Sequence, residues 1–430
     1  MTYFDPSQFS LADFRLGEGT DPLDPGEEFV RWRADTRWES SLYERSLLGG
    51  PVPRTTVEVE GHPQRVLNFT SYNYLGLAQH PDTIAAAQQA LLQYGTGACG
   101  SPLLSGMTDQ HRSLERELST FLRRDAAMLF NSGFGGALGC LAGLLRKGDV
   151  AVLDSRSHLS LFDGARLSQA QLRVFAHNDP ESLDDVLSRG NGRRQLVVLE
   201  GIYSMDGDVA DLPRLLEVTE RHGVGVLVDE AHSMLTLGAH GRGAADHFGV
   251  NDRVALQYGT FSKAFAAVGG FVSGTARTLD YLRLYANSYG FSCALPPSVV
   301  AGVRAGLQVA ARDQSLRQML ADNASYLRSG LRSLGIDTGE STTHVVPIII
   351  GPHRPLLYGL GHEMLARGLF LAPVDYPSVP EDQVRFRASV TAAHTRADLD
   401  EALNILEDTV ARRLRAIGAL APDREVGRGV

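Results

Sequence analysis

Gly-Val-Leu-Val (225–228) runs straight into Asp-Glu-Ala-His (229–232). A short apolar run that stops at a charged group reads as a strand buried on both faces, with its polar end at the rim of a sheet. The same form recurs at Ala126–Phe130, Val150–Leu153, Leu196–Leu199 and Val254–Gln257. Pro81–Tyr94 and Gln110–Phe121 read as helices, and helical stretches such as Asp211–His222 separate several of the strands. This alternation predicts an α/β fold built on a large, doubly wound, mostly parallel sheet. In such a sheet the useful groups collect at the C-terminal ends of the strands.

Past Pro296-Pro297 the pattern changes. A long helix over roughly Ser298–Leu334 leads to a smaller C-terminal α/β portion, with strands at Val345–Ile350 and Gln383–Ala388 and a helix after Thr395. Residues 1–50, rich in Asp, Glu, Pro and Gly, predict an extended N-terminal arm with a short helix near Glu27–Arg37. The expected division is an arm and segment over 1–80, a large domain over 81–297 and a small domain over 298–430.

The 430 residues are 43% hydrophobic and 21% charged, ordinary for a globular protein. A net charge of −9 leaves no basic footprint for nucleic acid or an anionic membrane. Met-Thr-Tyr-Phe-Asp-Pro at the start lacks the marks of a signal peptide. The most apolar stretch, Phe130–Leu145, is Gly-rich and too short for a membrane span. Cys99, Cys140 and Cys293 suggest neither a disulfide framework nor a metal site, and a cytoplasmic home is expected.

Lysine occurs twice, at 147 and 263, against 39 arginines. A retained lysine suggests a task closed to arginine, which stays protonated; an amine that sheds its proton can attack a carbonyl. Lys263 lies in Tyr-Gly-Thr-Phe-Ser-Lys-Ala-Phe (258–265) and suits a Schiff base with pyridoxal 5'-phosphate (PLP). Lys147, in Leu-Arg-Lys-Gly-Asp, reads as a surface residue. Strand Ala126–Phe130 feeds Asn-Ser-Gly-Phe-Gly-Gly (131–136), a turn whose helix N-terminus could hold a phosphate. Asp229 could pair with a pyridinium nitrogen, or equally could cap a helix or anchor a loop. Taken alone, His158 and Ser204 are as well explained by structure as by chemistry. Asp-Glu-Ala-His also occurs in helicases, but neither lysine lies in the P-loop that such a reading requires. The weight lies in the order: phosphate turn, His, Ser, Asp-x-x-His, then Thr-x-x-Lys, each after a predicted strand.

In this order the chain resembles the α-oxoamine synthases, fold-type I PLP enzymes of the aminotransferase class I/II kind that include 8-amino-7-oxononanoate synthase and serine palmitoyltransferase. The resemblance covers about Leu67 to Leu406. It begins with Asn-Tyr-Leu-Gly-Leu-Ala (73–78) and Gly-Thr-Gly-Ala-Cys-Gly-Ser (95–101). Ser-Gly-Phe (132–134), Asp-Glu-Ala-His-Ser (229–233) and Gly-Arg-Gly (241–243) follow. It ends with Thr-Phe-Ser-Lys-Ala-Phe (260–265), Leu-Pro-Pro (295–297) and Thr-Ala-Ala-His-Thr (391–395).

The resemblance implies an acyltransferase that condenses an amino acid with an acyl thioester and releases CO2 and thiol. It implies that Lys263 anchors PLP and moves the Cα proton, that Asp229 pairs with the ring nitrogen, and that His158 stacks on the ring. Ser204 and His232 match positions near the phenolic oxygen. Ser132, Gly133 and Phe134 match cofactor-pocket positions, with Thr260 on the phosphate. Arg387 matches the grip on the amino-acid carboxylate, and Ser378 a substrate contact. A homodimer, with CoA or an acyl carrier protein as the thioester's carrier, is also implied. Pro102 and Leu103 replace polar residues that hold a succinyl group in one branch, which favours an apolar acyl chain. Cys293 stands where a threonine phosphate donor is usual, and Tyr72 where several members have asparagine. Transamination or aldol cleavage on the same fold, and a non-catalytic subunit, are the rival expectations; the retention of Lys263, Asp229, His158 and Arg387 argues against the last.

Overall fold

The computed structural model describes residues 12–15, 17, 21–36, 41–190 and 192–420. They form two compact units. One takes the chain up to Ser71, the short segment Met205–Gly207 and the chain from Asp322; the other takes Tyr72–Ser204 and Asp208–Ala321.

In the smaller unit, β1 (Arg54–Val59) and β2 (His62–Asn68) form an antiparallel hairpin. The larger unit is built on seven strands: β3 (Ala126–Phe130), β4 (Val150–Asp154), β5 (Gln171–Phe175), β6 (Gln195–Glu200), β7 (Gly225–Asp229), β8 (Leu256–Thr260) and β9 (Gly270–Gly274). Their order across the sheet is β3-β9-β8-β7-β6-β4-β5. Only β9 runs against its neighbours, antiparallel to β3 and β8; the remaining pairs are parallel. The chain leaves β4 towards β5 but leaves β6 towards β7, so the winding direction reverses at the β4–β6 pair. Ligands settle at such a reversal, outside the strand ends.

Apolar side chains cover both faces of the sheet. Met128, Leu153, Val198, Leu227 and Val272 pack with Leu141, Leu161 and Leu282 on one side. Val150, Val152, Val197, Val226 and Val228 pack with Leu187, Leu215 and Leu216 on the other. Each such side chain stabilises the fold by about 1.5–3 kcal/mol when fully buried.

The smaller unit adds β10 (Val345–Gly351), β11 (Leu369–Phe370), β12 (Pro373–Val374) and β13 (Val384–Ser389). Here β11 joins β2 in parallel, while β13 lies between β10 and β12 with antiparallel pairing on both sides. The 1–80 segment is therefore no separate layer, because its hairpin is a sheet partner of β11. The unit boundaries fall at Ser71/Tyr72 and Ala321/Asp322 instead of at residues 80 and 297. Helix Pro297–Arg312 stays with the large unit, since it packs along helix Pro81–Tyr94, where a Cβ on Gly302 would lie 3.7 Å from Ala87 Cβ.

Three expected elements shift. The helix expected over 298–334 is two, Pro297–Arg312 and Ser315–Ser333. Asp313 adopts an extended conformation, and its carboxylate accepts from Ser315 N–H (3.0 Å) and Oγ–H (2.6 Å), which restarts the helix. The strand expected at 254–257 begins at Leu256, because Arg124 takes the Val254 and Ala255 carbonyls at 2.8 and 2.7 Å. The arm helix is Gly26–Asp35, closed by Thr36, whose N–H and hydroxyl both donate to Trp32 O at 2.8 Å; Arg37 lies outside the described residues.

Candidate active site

The polar residues expected from the sequence gather along the C-terminal rim of the large sheet. Ser132 caps helix Gly133–Leu144, and its Oγ accepts from Gly135 N–H at 2.9 Å. Gly133 is glycine by necessity. A Cβ there would meet Thr260 Oγ1 at 2.5 Å and the Tyr258 hydroxyl at 3.1 Å. Tyr258 donates to the Gly133 carbonyl at 2.5 Å, which ties the helix start to β8. Thr260 ends β8; its hydroxyl donates to Gly269 O (3.0 Å) and accepts from Ser262 N–H (3.2 Å). Phe134 stands exposed on the first turn. A capped, glycine-cleared helix N-terminus offers N–H donors and a positive dipole to a phosphate.

His158 caps the next rim helix, Leu159–Leu167; its Nδ1 accepts from Ser160 N–H at 3.3 Å and meets Ser160 Oγ at 2.8 Å. The imidazole is exposed, and the His158 backbone N–H donates to the Glu200 carboxylate. Glu200 ends β6 and pairs in register with Asp229, which ends β7. Ser204 is buried just past β6. His232 is buried past β7, with Tyr74 Oη 2.8 Å from its Nδ1. Lys263, half-buried, lies in the loop 261–269 that joins β8 to β9.

Electrostatics set Glu200 and Asp229 apart. Burial raises the Asp229 carboxyl to about 6, against the opposing pull of the Lys263 ammonium and the Ala231 N–H, 2.8 Å from Oδ1. Glu200 rises well above the usual carboxylate range through burial and the nearby charge of Asp229; the His158 N–H and Lys263 pull the other way. Two buried acids thus depend on the charge of one lysine. A further cation delivered to Asp229 would let its carboxylate ionise.

These residues fit PLP on their chemistry: a helix N-terminus for phosphate, a lysine for the aldehyde, a charge-starved carboxylate for a ring nitrogen, and imidazoles for the ring.

Arg387 and Ser378 belong to the smaller unit. Arg387 sits on β13 opposite Pro347, its Nη1 3.9 Å from Met205 Sδ. Ser378 is exposed in the loop after β12. Sequence reasoning missed Glu200, Tyr258 and Tyr74 as partners of the site. Tyr74 and Tyr258 lay within quoted motifs, and the position of Glu200 at the end of a run that reads as buried was the available signal.

A sequence model of the class I and II aminotransferases matches residues 64–406. The chain belongs to that family. Within it the relatives are α-oxoamine synthases. A putative 8-amino-7-oxononanoate synthase 2 of Mycobacterium tuberculosis is 39% identical over 89% of this chain. The 8-amino-7-oxononanoate synthase of Thermoanaerobacter pseudethanolicus is 36% identical over 91% of this chain and 98% of its own length. The 4-hydroxy-2,2'-bipyrrole-5-methanol synthase of a Serratia strain is 38% identical over 92% of this chain. The chain spans 53% of the mycobacterial protein and 61% of the Serratia one. Among solved structures, Sphingomonas wittichii serine palmitoyltransferase superposes with a TM-score of 0.87 at 32% identity, covering 94% of this chain and all of that one. Another such structure, at 31% identity, was determined with PLP. The fold is thus that of fold-type I PLP transferases, and the cofactor of the family member is PLP. Among the described residues no helix is long and apolar enough to cross a membrane, and no group of His, Cys, Asp and Glu could hold a metal.

Proposed function

We propose that the protein is an acyltransferase that joins an amino acid to an acyl thioester with loss of CO2, yielding an α-amino ketone and a free thiol. The observation that carries this is the rim constellation of Lys263, Asp229, Glu200 and His158, set on a chain whose relatives are synthases of this kind.

PLP, when bound, supplies an electron sink for the negative charge that develops at the amino acid's Cα. Ser132, Gly133 and Phe134 present N–H groups to the phosphate, with Thr260 beside them. Lys263 would anchor the cofactor, and its amine would take the Cα proton at Nζ. Asp229 keeps a proton on the ring nitrogen. Its buried carboxylate, raised by burial against the pull of Lys263, would gain in that proton a further counter-charge. The exposed His158 imidazole would cover one face of the ring. Ser204 and His232 would hold the phenolic oxygen, and Tyr74 Oη, 2.8 Å from His232 Nδ1, would steady that ring. Arg387 grips the substrate carboxylate through paired N–H donors, as a guanidinium is shaped to do, and Ser378 touches the same substrate.

The acyl group is apolar and arrives on CoA or on an acyl carrier protein; Pro102 and Leu103 supply no polar grip for a second carboxylate. We further propose a cytoplasmic homodimer in a biosynthetic role. To test the reaction, purified holoprotein is incubated with single amino acids and then with acyl thioesters of increasing chain length. Thiol and CO2 released in equal amounts, with an α-amino ketone by mass, support the reading. Amino-group exchange without thiol release would point to transamination and refute it.

A further inference from the structure

Behind the loops that carry His158 and Ser204 lies a cluster of ionisable groups with no part in this reaction. His177 follows β5. Its Nδ1 lies 3.0 Å from Asp154 Oδ1, and its Nε2 lies 3.0 Å from Asp208 Oδ2. Ionised carboxylates only accept, so a ring flanked by two of them must donate from both nitrogens, as an imidazolium does.

Asp154 does more than pair. Its Oδ2 accepts from the Tyr203 hydroxyl at 2.9 Å and from Asn178 N–H at 2.8 Å, and its Oδ1 accepts from Arg156 N–H at 2.8 Å. The Tyr203 ring meets the imidazole edge-on, with centroids 4.4 Å apart. Asn178 Oδ1 accepts from Asp211 N–H at 2.8 Å. Three chain segments therefore converge on one ring: the end of β4 with the loop it leads into, the loop after β5 and the stretch after β6. His158 closes the first, and Ser204 follows Tyr203 in the third.

We propose that His177, clamped between Asp154 and Asp208, is a positioning residue that sets the two loops bearing His158 and Ser204 against the cofactor. The inference rests on the cofactor assignment and is independent of the substrates. Burial alone would lower the imidazole, but the carboxylates of Asp154 and Asp208 outweigh it and push it up to about 9. The other ionisable groups facing the cluster are Tyr203, raised by burial and by Asp154, and Glu200, whose charge reaches Tyr203. The imidazolium is fully present at neutral pH, and its hold is lost as pH rises through about 9.

The test compares wild-type, His177→Asn and Asp208→Asn holoproteins by PLP affinity and visible spectrum, from neutral pH through about 9. Both variants are expected to bind PLP about tenfold more weakly, the low end of what losing an outer partner costs a bound metal. The wild-type alkaline change in affinity and spectrum moves to lower pH in Asp208→Asn and disappears in His177→Asn. A lowered melting temperature with wild-type affinity, spectrum and pH dependence would make the cluster a brace only and overturn the proposal. Should His177→Asn fail to fold, Asp208→Asn, which keeps the imidazole and Asp154, decides by the same criteria. Condensation activity enters none of these measurements, so a wrong thioester cannot imitate failure.

Discussion

The end of β7 and the turn just beyond it each bury a carboxyl, and give it different partners. Glu230, in the turn, is buried and met by Ser233 Oγ–H, Ala244 N–H at 2.7 Å and Ala245 N–H at 3.1 Å. It sits so close to Gly243 that a Cβ there would lie 2.4 Å from Oε2. Asp229, its chain neighbour on the strand, meets the Ala231 N–H and the pull of Lys263. Burial raises both carboxyls, Glu230 to about 7 despite its donors and Asp229 to about 6, so the two differ in their partners: Glu230 ties a serine and two backbone N–H groups of a loop, whereas Asp229 feels the pull of Lys263. The pair teaches that neither burial nor a raised carboxyl marks a functional acid by itself; the partners it is placed beside do.

The sharpest way to break this contrast is to remove the lysine. Lys263→Ala should lower turnover by at least about 10⁴-fold and abolish the visible absorbance of the lysine-bound cofactor. A yellow, active Lys263→Ala protein would sink the assignment. Asp229→Asn keeps the volume and drops the charge; kcat should fall by about 10²–10³-fold, the scale of losing one preorganised electrostatic partner. Unchanged kcat would place Asp229 with Glu230 among the anchors.

The smaller unit extends the comparison to a cation. Arg385 is buried and held by Asp206 Oδ1 at 2.8 Å, the Met205 carbonyl at 3.1 Å, and Gln383 O and Oε1 at 2.9 and 3.0 Å. Asp206→Ala strips the one carboxylate that Arg385 meets among the described residues and should cost about 3 kcal/mol by chemical denaturation, at the low end for a broken buried pair because the carbonyl bonds remain. Glu230→Gln puts an N–H where Ala245 N–H needs an acceptor. It should cost about 1–2 kcal/mol yet leave the cofactor spectrum unchanged. A spectral change would show that Glu230 belongs to the site.

The smallest effect is a pH dependence. The Asp229 carboxyl is raised to about 6 in the fold, so its contribution is complete below its ordinary value of 3.8 and is lost as pH climbs through about 6. The PLP-free protein should lose thermal stability across that window. Asp229→Asn should lack this part of the loss, and identical melting profiles for the two would refute the shift.

Much of the large sheet could be read from the chain, because parallel strands buried on both faces appear as short apolar runs; β3 was bounded to the residue and β4, β6 and β7 to within one or two. Two strands could not. Arg173 interrupts β5, an edge strand, and its Nη1 bonds the Val186 carbonyl at 3.2 Å instead of packing in the core. In β9, glycine at both ends leaves too short an apolar run to stand out. The clustering of Met205–Gly207 with the smaller unit was equally hidden, since it follows from bonds such as Arg385 to Asp206, far apart in sequence. Motif order carried the site residues of the large unit, but the partners that orient them, Tyr74, Tyr258 and His177, show their purpose only once folded.

The reversed direction of β9 bears on how the lysine is held. Most rim loops of the sheet hand the chain to a helix, which must cross a face before the next strand begins. The loop 261–269 instead turns straight back, and Thr260 pairs with Gly270 across its base. Closing so short a loop restricts few residues, and both its ends are fixed by a neighbouring ladder. The Lys263 amine therefore hangs from a hairpin footed on two strand ladders, and the helices that touch it, Pro81–Tyr94 and Pro297–Arg312, flank a loop whose base is already fixed.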